Sequence, residues 1–217
     1  MNQFSVPQMF AIWTLPVIFA ITVHEVAHGW VANKFGDPTA KLLGRLTLNP
    51  IKHIDILGTV IIPAILLLLS SGFIFGWAKP VPVNYNNLKR PKRDMAFVAA
   101  AGPFANLLMA IIWVLIAKLG ILIGKDNVGF WFYYMGHAGV MINLVLMVLN
   151  LIPIPPLDGS RVVTSFLSPT AAATYNKLES WGFFILLALL ALGLLTYILA
   201  PPVLLIRHFL VSIFGVY

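Results

Sequence analysis

The sequence predicts an all-α polytopic membrane protein, and three observations carry this prediction. Hydrophobic residues make up 60% of the 217-residue chain and charged residues 10%, against about 45–50% and about 25% in an average soluble domain. The mean hydropathy is +0.93. Several apolar runs reach the roughly 20 residues that a helix needs to cross a bilayer. We therefore expect one integral membrane domain over residues 1–217, built as a bundle of about five to six membrane segments.

The apolar runs place these segments along the chain. They are expected at about 9–32, 54–75, 95–118, 135–156 and 181–200, with a shorter run at about 202–216. The core of the domain then takes about residues 9–165, and the C-terminal membrane segments take about 181–217. Pro201-Pro202 is expected to break the last two runs apart. Whether 202–216 crosses the bilayer or lies at its surface is left open.

The basic residues predict how the segments are oriented. Most Lys and Arg lie in the stretches 34–52 and 79–93, and the first 23 residues carry no charge. Because positive loops stay cytoplasmic, the first helix should run inward. Segment 54–75 lies between two cytoplasmic stretches, and Pro63 interrupts it, so a re-entrant hairpin is favoured over an ordinary span. Segment 95–118 then runs outward and 135–156 returns inward, which brings PPLDGSR to the level of the histidines. We also expect a small irregular or β-like insertion on the cytoplasmic side.

Composition excludes several kinds of site and partner. Cysteine is absent, which excludes disulfides and thiolate metal ligands. The formal net charge is +7, but the basic residues lie in short loops beside apolar segments, as in LKRPKRD at 88–94. This is the pattern of topology determinants, so the lipid bilayer is the expected partner and nucleic acid is not. The sequence gives no support for a homo-oligomer and does not exclude one.

The stretch ITVHEVAHGW, at 21–30, places three ionisable groups inside the first apolar segment. His24 and His28 are four residues apart and therefore share one helix face, where both imidazoles can reach one ion. Glu25 lies about 100° around the helix axis, close enough to touch a water on that ion. Ionisable groups in a membrane are costly and usually functional. The pattern predicts a metal site.

Two histidines leave a catalytic zinc ion short of a third protein ligand. The acidic residues that remain as candidates are Asp55 and Asp158. Asp158 lies in NLIPIPPLDGSR, at 150–161, where prolines forbid a regular helix and a broken membrane segment can turn a carboxylate into a cavity. Asp55 can instead cap a helix, although His53 beside it keeps a second metal arrangement open.

HEVAH in the first membrane helix, combined with NLIPIPPLDG at 150–159, resembles the site-2 protease family of intramembrane zinc peptidases. That family pairs HExxH with NxxPxPxLDG. The stretch AAAGPFANLL, at 99–108, resembles the family's GPxxN motif. NPIKHIDILGT and GWAKPVPVN resemble the short bacterial branch, which lacks a PDZ or CBS domain. The resemblance covers about residues 10–165.

The resemblance implies one zinc ion per chain, held by His24, His28 and Asp158, with Glu25 as the catalytic glutamate. It implies hydrolysis of a peptide bond within or near a transmembrane helix of a membrane-protein substrate, close to the cytoplasmic face. Asn106 and Asn150 lie in family motifs and are candidates for substrate or oxyanion binding. Each could instead hold helices together by hydrogen bonds.

Two further interpretations stay open. WAKPVPVN, at 77–84, is either a clamp that holds an extended substrate by strand addition or a plain proline-rich connector. The rival function is a membrane transporter or metal permease, which also places His and Asp in the membrane. A permease needs several ligand positions along a path, whereas this chain gathers one compact set. It also gives no reason for the glutamate beside the first histidine.

Overall fold

A computed structural model describes residues 4–62, 65, 68, 76–124 and 128–216 of the chain. These residues contain α1 (Val6–Lys34), α2 (Thr39–Leu42), α3 (Pro91–Ile123), α4 (Val128–Leu151), α5 (Asp158–Phe166), α6 (Pro169–Asn176), α7 (Glu179–Ala191) and α8 (Leu194–Phe214). Two 3-10 turns, Pro50–His53 and Tyr85–Asn87, and the π-helical turn Ile56–Ile61 lie between α2 and α3. Within the described ranges no residue is in a strand. The all-α prediction is confirmed, and the described part of the insertion is irregular and not β-like.

Four helices of the described chain are long and apolar enough to cross a membrane: Pro7–Lys34, Pro91–Ile123, Val128–Leu151 and Leu194–Phe214. They correspond to four of the expected segments and confirm a polytopic membrane protein. The apolar helix α7 has 13 residues, about 20 Å, which is too short for a simple crossing. The predicted hairpin at 54–75 falls mostly outside the described residues.

The predicted break at Pro201-Pro202 is wrong. Helix α8 continues through both prolines, and the break lies instead at Gly193, whose φ is +71°. A left-handed backbone of this kind is accessible to glycine and costly for other residues. Proline inside a membrane helix is tolerated where neighbouring groups satisfy the freed carbonyls. The run 202–216 is therefore mostly the second half of a helix long enough to span the bilayer.

Helices α3 and α4 pack closely through small residues. An added Cβ at Gly136 would lie 2.5 Å from the backbone N of Ala117, and one at Gly139 would lie 2.2 Å from the ring of Trp113. Small residues let membrane helices approach until their backbones touch. The pairing is antiparallel, so α4 returns to the level at which α3 begins. Helix α8 adds Val203 and Leu210 to the same apolar core.

Helix α1 runs antiparallel to α3, because His28 contacts Val98 while Ala20, further up α1, contacts Asn106. The end of α1, the beginning of α3 and the end of α4 therefore lie together, and we call this the site end of the bundle. The sequence predicted this parity from the positive loops. It brings the broken stretch after α4 to the level of the two histidines.

The loop after α1 is organised by the fully buried carboxylate of Asp37. It accepts hydrogen bonds from the backbone N–H of Thr39 at 3.1 Å and of Asn84 at 2.6 Å, and from the side-chain amide of Asn87 at 3.0 Å. Burial alone would raise the pKa of Asp37, but the hydroxyl of Thr39, which also donates to this carboxylate, and these hydrogen bonds together outweigh burial and hold the pKa below its ordinary value. Asp37 therefore ties residues 84–87 to the end of α1.

Asp37→Asn should lower the free energy of unfolding by about 1.5–3 kcal/mol at neutral pH, because hydrogen bonds to a buried charge are lost. A depressed folded-state pKa stabilises the protein above the unfolded value of about 3.9, and this stabilisation disappears as the pH falls through the folded pKa. Thermal unfolding of both proteins is measured in detergent from pH 7 down to pH 3. The difference between their unfolding midpoints should become smaller as the pH falls. Equal midpoints at pH 7 would contradict this role.

Candidate metal centre

Three ligand atoms converge at the site end of the bundle. Nε2 of His24 and Nε2 of His28 each lie 3.2 Å from Oδ2 of Asp158, and the two nitrogens are 3.0 Å apart. Both histidines are buried, and Asp158 is half-buried. Among the described residues, these three side chains lie close enough together to share one metal ion.

The other ring nitrogen of each histidine fixes its tautomer. Nδ1 of His24 lies 2.6 Å from Oδ1 of Asn106, and Nδ1 of His28 lies 2.7 Å from the carbonyl oxygen of Val98. Because a carbonyl oxygen only accepts, each Nδ1 carries the proton and donates it. Both Nε2 lone pairs therefore face Asp158. An N–H donated to a carbonyl is the usual support of a metal-binding histidine.

The orientation of Asn106 is itself fixed by its neighbours. Its Nδ2 donates to the carbonyl of Ala20 at 3.1 Å and to Oδ1 of Asn143 at 2.9 Å. Asn143 in turn donates to the carbonyl of Gly139 at 2.8 Å. Both asparagines are fully buried. This chain of hydrogen bonds leaves Oδ1 of Asn106 facing His24, so α3 and α4 together orient the imidazole.

The donor set suits a zinc ion. Ligand atoms about 2.0–2.1 Å from a tetrahedral zinc lie about 3.3 Å from one another, close to the separations found here. Oδ2 of Asp158 is buried and has no hydrogen-bond donor among the described residues. A carboxylate oxygen that faces two imidazole lone pairs needs a cation between them. Two histidines and one carboxylate also leave a fourth position open, as catalytic zinc sites do.

Gly102 gives the site its room. A Cβ at this position would lie 2.4 Å from Nε2 of His28 and 2.6 Å from Nε2 of His24. Real Cβ atoms do not approach other atoms this closely. A methyl group here would fill the space beside both metal-facing nitrogens, and glycine leaves it open.

Gly159 places Asp158 against the end of α4. A Cβ at Gly159 would lie 2.3 Å from the carbonyl oxygen of Leu151, so only glycine lets the first turn of α5 pack this closely. The stretch between α4 and α5 is made of turns, with Leu157 N–H donating to the carbonyl of Ile154. The prolines thus end α4, and the glycine brings the carboxylate back to α1.

Glu25 lies on α1 and is half-buried. Its Oε2 accepts a hydrogen bond of 2.7 Å from the backbone N–H of Val81. This contact joins the catalytic candidate to the stretch that the sequence presented as a clamp or connector.

The remaining candidates fall into other roles. Asp55 accepts a hydrogen bond from the N–H of Gly58 at 2.7 Å and caps the turn that follows, and Nε2 of His53 contacts the carbonyl of Thr47. In the described residues no metal cluster forms around these two side chains. Asn150 donates to the carbonyl of Leu146 on its own helix at 3.0 Å.

Sequence reasoning gave no role to Val98, Gly102, Asn143 or the N–H of Val81, although Gly102 lies in the stretch 99–108 that resembles GPxxN. Two of these act through backbone atoms, which carry no signal in residue type. Asn143 was visible as a polar residue in an apolar segment, a feature that indicates an interhelical contact without naming its partner.

Comparisons with known proteins identify the family of this chain. The model of a family described as "Peptidase family M50" matches residues 121–193, which include Asp158. The chain is 40% identical over 190 residues to "Putative zinc metalloprotease YwhC" of Bacillus subtilis, covering 86% of this chain and 83% of that protein. It is 28% identical over 179 residues to "Putative zinc metalloprotease Rip2" of Mycolicibacterium smegmatis, covering 80% and 64% respectively.

Rip2 of Mycobacterium tuberculosis is 27% identical over 176 residues, which cover 79% of this chain and 63% of that protein. The chain thus spans most of YwhC and slightly less than two thirds of each Rip2 protein. No solved structure matches the chain.

Proposed function

This chain belongs to peptidase family M50, and we propose that it is a zinc metalloprotease that cuts a membrane-spanning protein within or near its transmembrane helix. The observation that carries the proposal is the convergence of Nε2 of His24, Nε2 of His28 and Oδ2 of Asp158. One zinc ion per chain is held by these three atoms. The names of the relatives, which describe zinc metalloproteases, support the same reading.

When bound, zinc supplies a Lewis acid for the scissile carbonyl and activates a water molecule. Glu25 accepts the proton of the attacking water and delivers it to the amine that leaves, as a general base and then a general acid. Asp158 and the two neutral histidines supply the ligand atoms. The N–H groups donated by the histidines stop the rings from rotating.

Asn106 and Asn150 have different roles: one is structural and the other is a candidate for substrate or oxyanion binding. We assign Asn106 to orienting His24, because both of its N–H donors are already used on Ala20 and Asn143. Asn150 donates one N–H to the carbonyl of Leu146, and its second N–H makes no hydrogen bond to the described residues. It remains the candidate for substrate or oxyanion binding.

The substrate class follows from where the site lies. His24 and His28 are within α1, a helix that can cross the membrane, so the scissile bond is reached at membrane depth. A substrate helix has its carbonyls occupied and must unwind first. Residues 77–84 then hold the extended chain by strand addition. The basic stretches around α2 and before α3 support a cytoplasmic position for the site end.

Glu25→Gln tests this proposal. The variant should bind one zinc ion per chain and lose about 10²–10⁴-fold in turnover, because the general base is gone while the ligands remain. The probe is a synthetic single-span peptide with a Gly-Pro pair in its apolar segment, reconstituted with the protein in liposomes and analysed by mass spectrometry.

Glu179→Gln is the matched control, since Glu179 is the second glutamate of the chain and is exposed. It should cleave like the wild type. If Glu25→Gln cleaves at the wild-type rate, Glu25 is not the general base. Zinc transport into the liposomes that persists in this variant, without any cleavage by the wild type, would favour a permease instead.

A further inference from the structure

The residues 79–84, which we call the strap, lie across the catalytic glutamate. Val81 is 7% exposed, and its N–H donates to Oε2 of Glu25 at 2.7 Å. Pro80 and Pro82 on either side have no N–H. Val81 therefore offers the single backbone donor at this point of the strap, and neither neighbour can replace it.

The prolines also stiffen this donor. A residue that precedes proline is held in an extended conformation, and this applies to Lys79 and to Val81. At the far end of the strap, Asn84 is extended as well, with φ −95° and ψ 107°, and its N–H is held by Asp37 at 2.6 Å. The Val81 N–H is thus presented from a backbone with little freedom.

Arg45 holds the near end of the strap. Its Nη2 donates to the carbonyl of Lys79 at 2.9 Å and to the carbonyl of Pro80 at 3.3 Å, the two carbonyls that directly precede Val81. The side chain is buried, with the residue 9% exposed. Burying a guanidinium is costly unless its donors are used, and Nε of Arg45 has no partner among the described residues. The two carbonyls of the strap are therefore the contacts that hold this buried side chain.

We infer that Arg45, acting through the strap, positions Glu25 for proton transfer. The Val81 N–H fixes Oε2 of Glu25, and Oε1 is left to take the proton from the attacking water. Arg45 fixes the peptide that carries the N–H. Arg45 and Val81 are positioning groups and do not touch the substrate's reacting atoms. This inference rests on the proposed peptidase function of the same site.

Arg45→Ala should lower kcat by about 10- to 100-fold, since small misplacements of a catalytic group have effects of this size. Zinc should stay at one per chain, because no ligand is altered. The loss should lie mainly in kcat, since Arg45 acts on Glu25, and any rise in KM measures what residues 79 and 80 contribute to substrate binding. Arg45→Lys keeps a positively charged donor on a flexible side chain and should recover part of the loss. Arg90→Ala removes an exposed arginine and should behave like the wild type.

The N–H itself is tested at Val81. Val81→Ala keeps the N–H and measures what the buried side chain contributes. Val81→Pro removes the N–H from a segment already suited to proline, and its kcat should fall about 10- to 100-fold below that of Val81→Ala. Equal kcat in the two variants, or a wild-type kcat in Arg45→Ala, would overturn the inference.

A readout without turnover separates this inference from the proposed function. In protein labelled with 15N-valine, the Val81 amide proton should resonate downfield, because it donates to a carboxylate. The resonance is assigned by its absence in Val81→Ala. It should move upfield in Glu25→Gln and in Arg45→Ala. A Val81 resonance that is unchanged in both variants would show that neither side chain sets this hydrogen bond.

Discussion

Asp158→Ala is expected to leave the protein without stoichiometric zinc and without peptidase activity. The variant retains two imidazoles, each still held by its Nδ1 hydrogen bond, but removes the carboxylate that converges on them in the described part of the chain. Zinc sites with four protein ligands bind with about 10–16 kcal/mol, so one ligand accounts for about 3 kcal/mol, or roughly 100-fold in affinity or more. The lost negative charge adds to this, because it faces the ion inside a membrane bundle.

Asp55→Ala is the matched control for this experiment. The sequence offered Asp55 as the other acidic ligand, yet its carboxylate caps a turn through the N–H of Gly58. This variant should keep its zinc while the Asp158 variant loses it. Metal content is measured by mass spectrometry of the desalted protein, with thermal unfolding to confirm that both variants are folded. Full zinc occupancy after removal of Asp158 would show that the three-ligand site is wrong.

The parts of the site that were predicted from sequence depend on local rules. His24 and His28 share a face because four residues make about one helical turn. The placement of Asp158 needed one more step: the positive loops gave the number of crossings, which brought the end of α4 back to the level of the histidines. Both steps depend on properties of single segments, namely residue spacing and loop charge, and these can be read directly from the sequence.

The parts that were missed depend on distant segments meeting. Arg45 and Val81 lie far from Glu25 in sequence. They act on it through two backbone carbonyls and one N–H. The break in the last apolar stretch shows the same limit. Local propensity favoured Pro201, whereas the chain turns at Gly193 and packs the proline-containing helix against α4. Tertiary packing decided between two residues that both interrupt helices.

Gly102→Ala should abolish zinc binding as fully as the loss of a ligand, although Gly102 donates no atom to the metal. The added Cβ would stand 2.4 Å from Nε2 of His28 and 2.6 Å from Nε2 of His24. Backbone atoms of α3 cannot retreat, because the same turn holds His28 through the Val98 carbonyl. The imidazoles must therefore rotate, which breaks their Nδ1 hydrogen bonds and moves both nitrogens away from Asp158.

Gly120→Ala is the matched comparison on the same helix. Its Cβ would lie 2.4 Å from the backbone N of Tyr133, a contact as crowded as that at Gly102 but about 27 Å further along α3. Both substitutions should lower the thermal unfolding midpoint. Only Gly102→Ala should also reduce the zinc bound per folded chain and eliminate cleavage, because only this methyl group occupies the space beside the two nitrogens. Equal zinc occupancy in the two variants would mean that Gly102 serves helix packing alone, and that the ion does not lie between the imidazoles and Asp158.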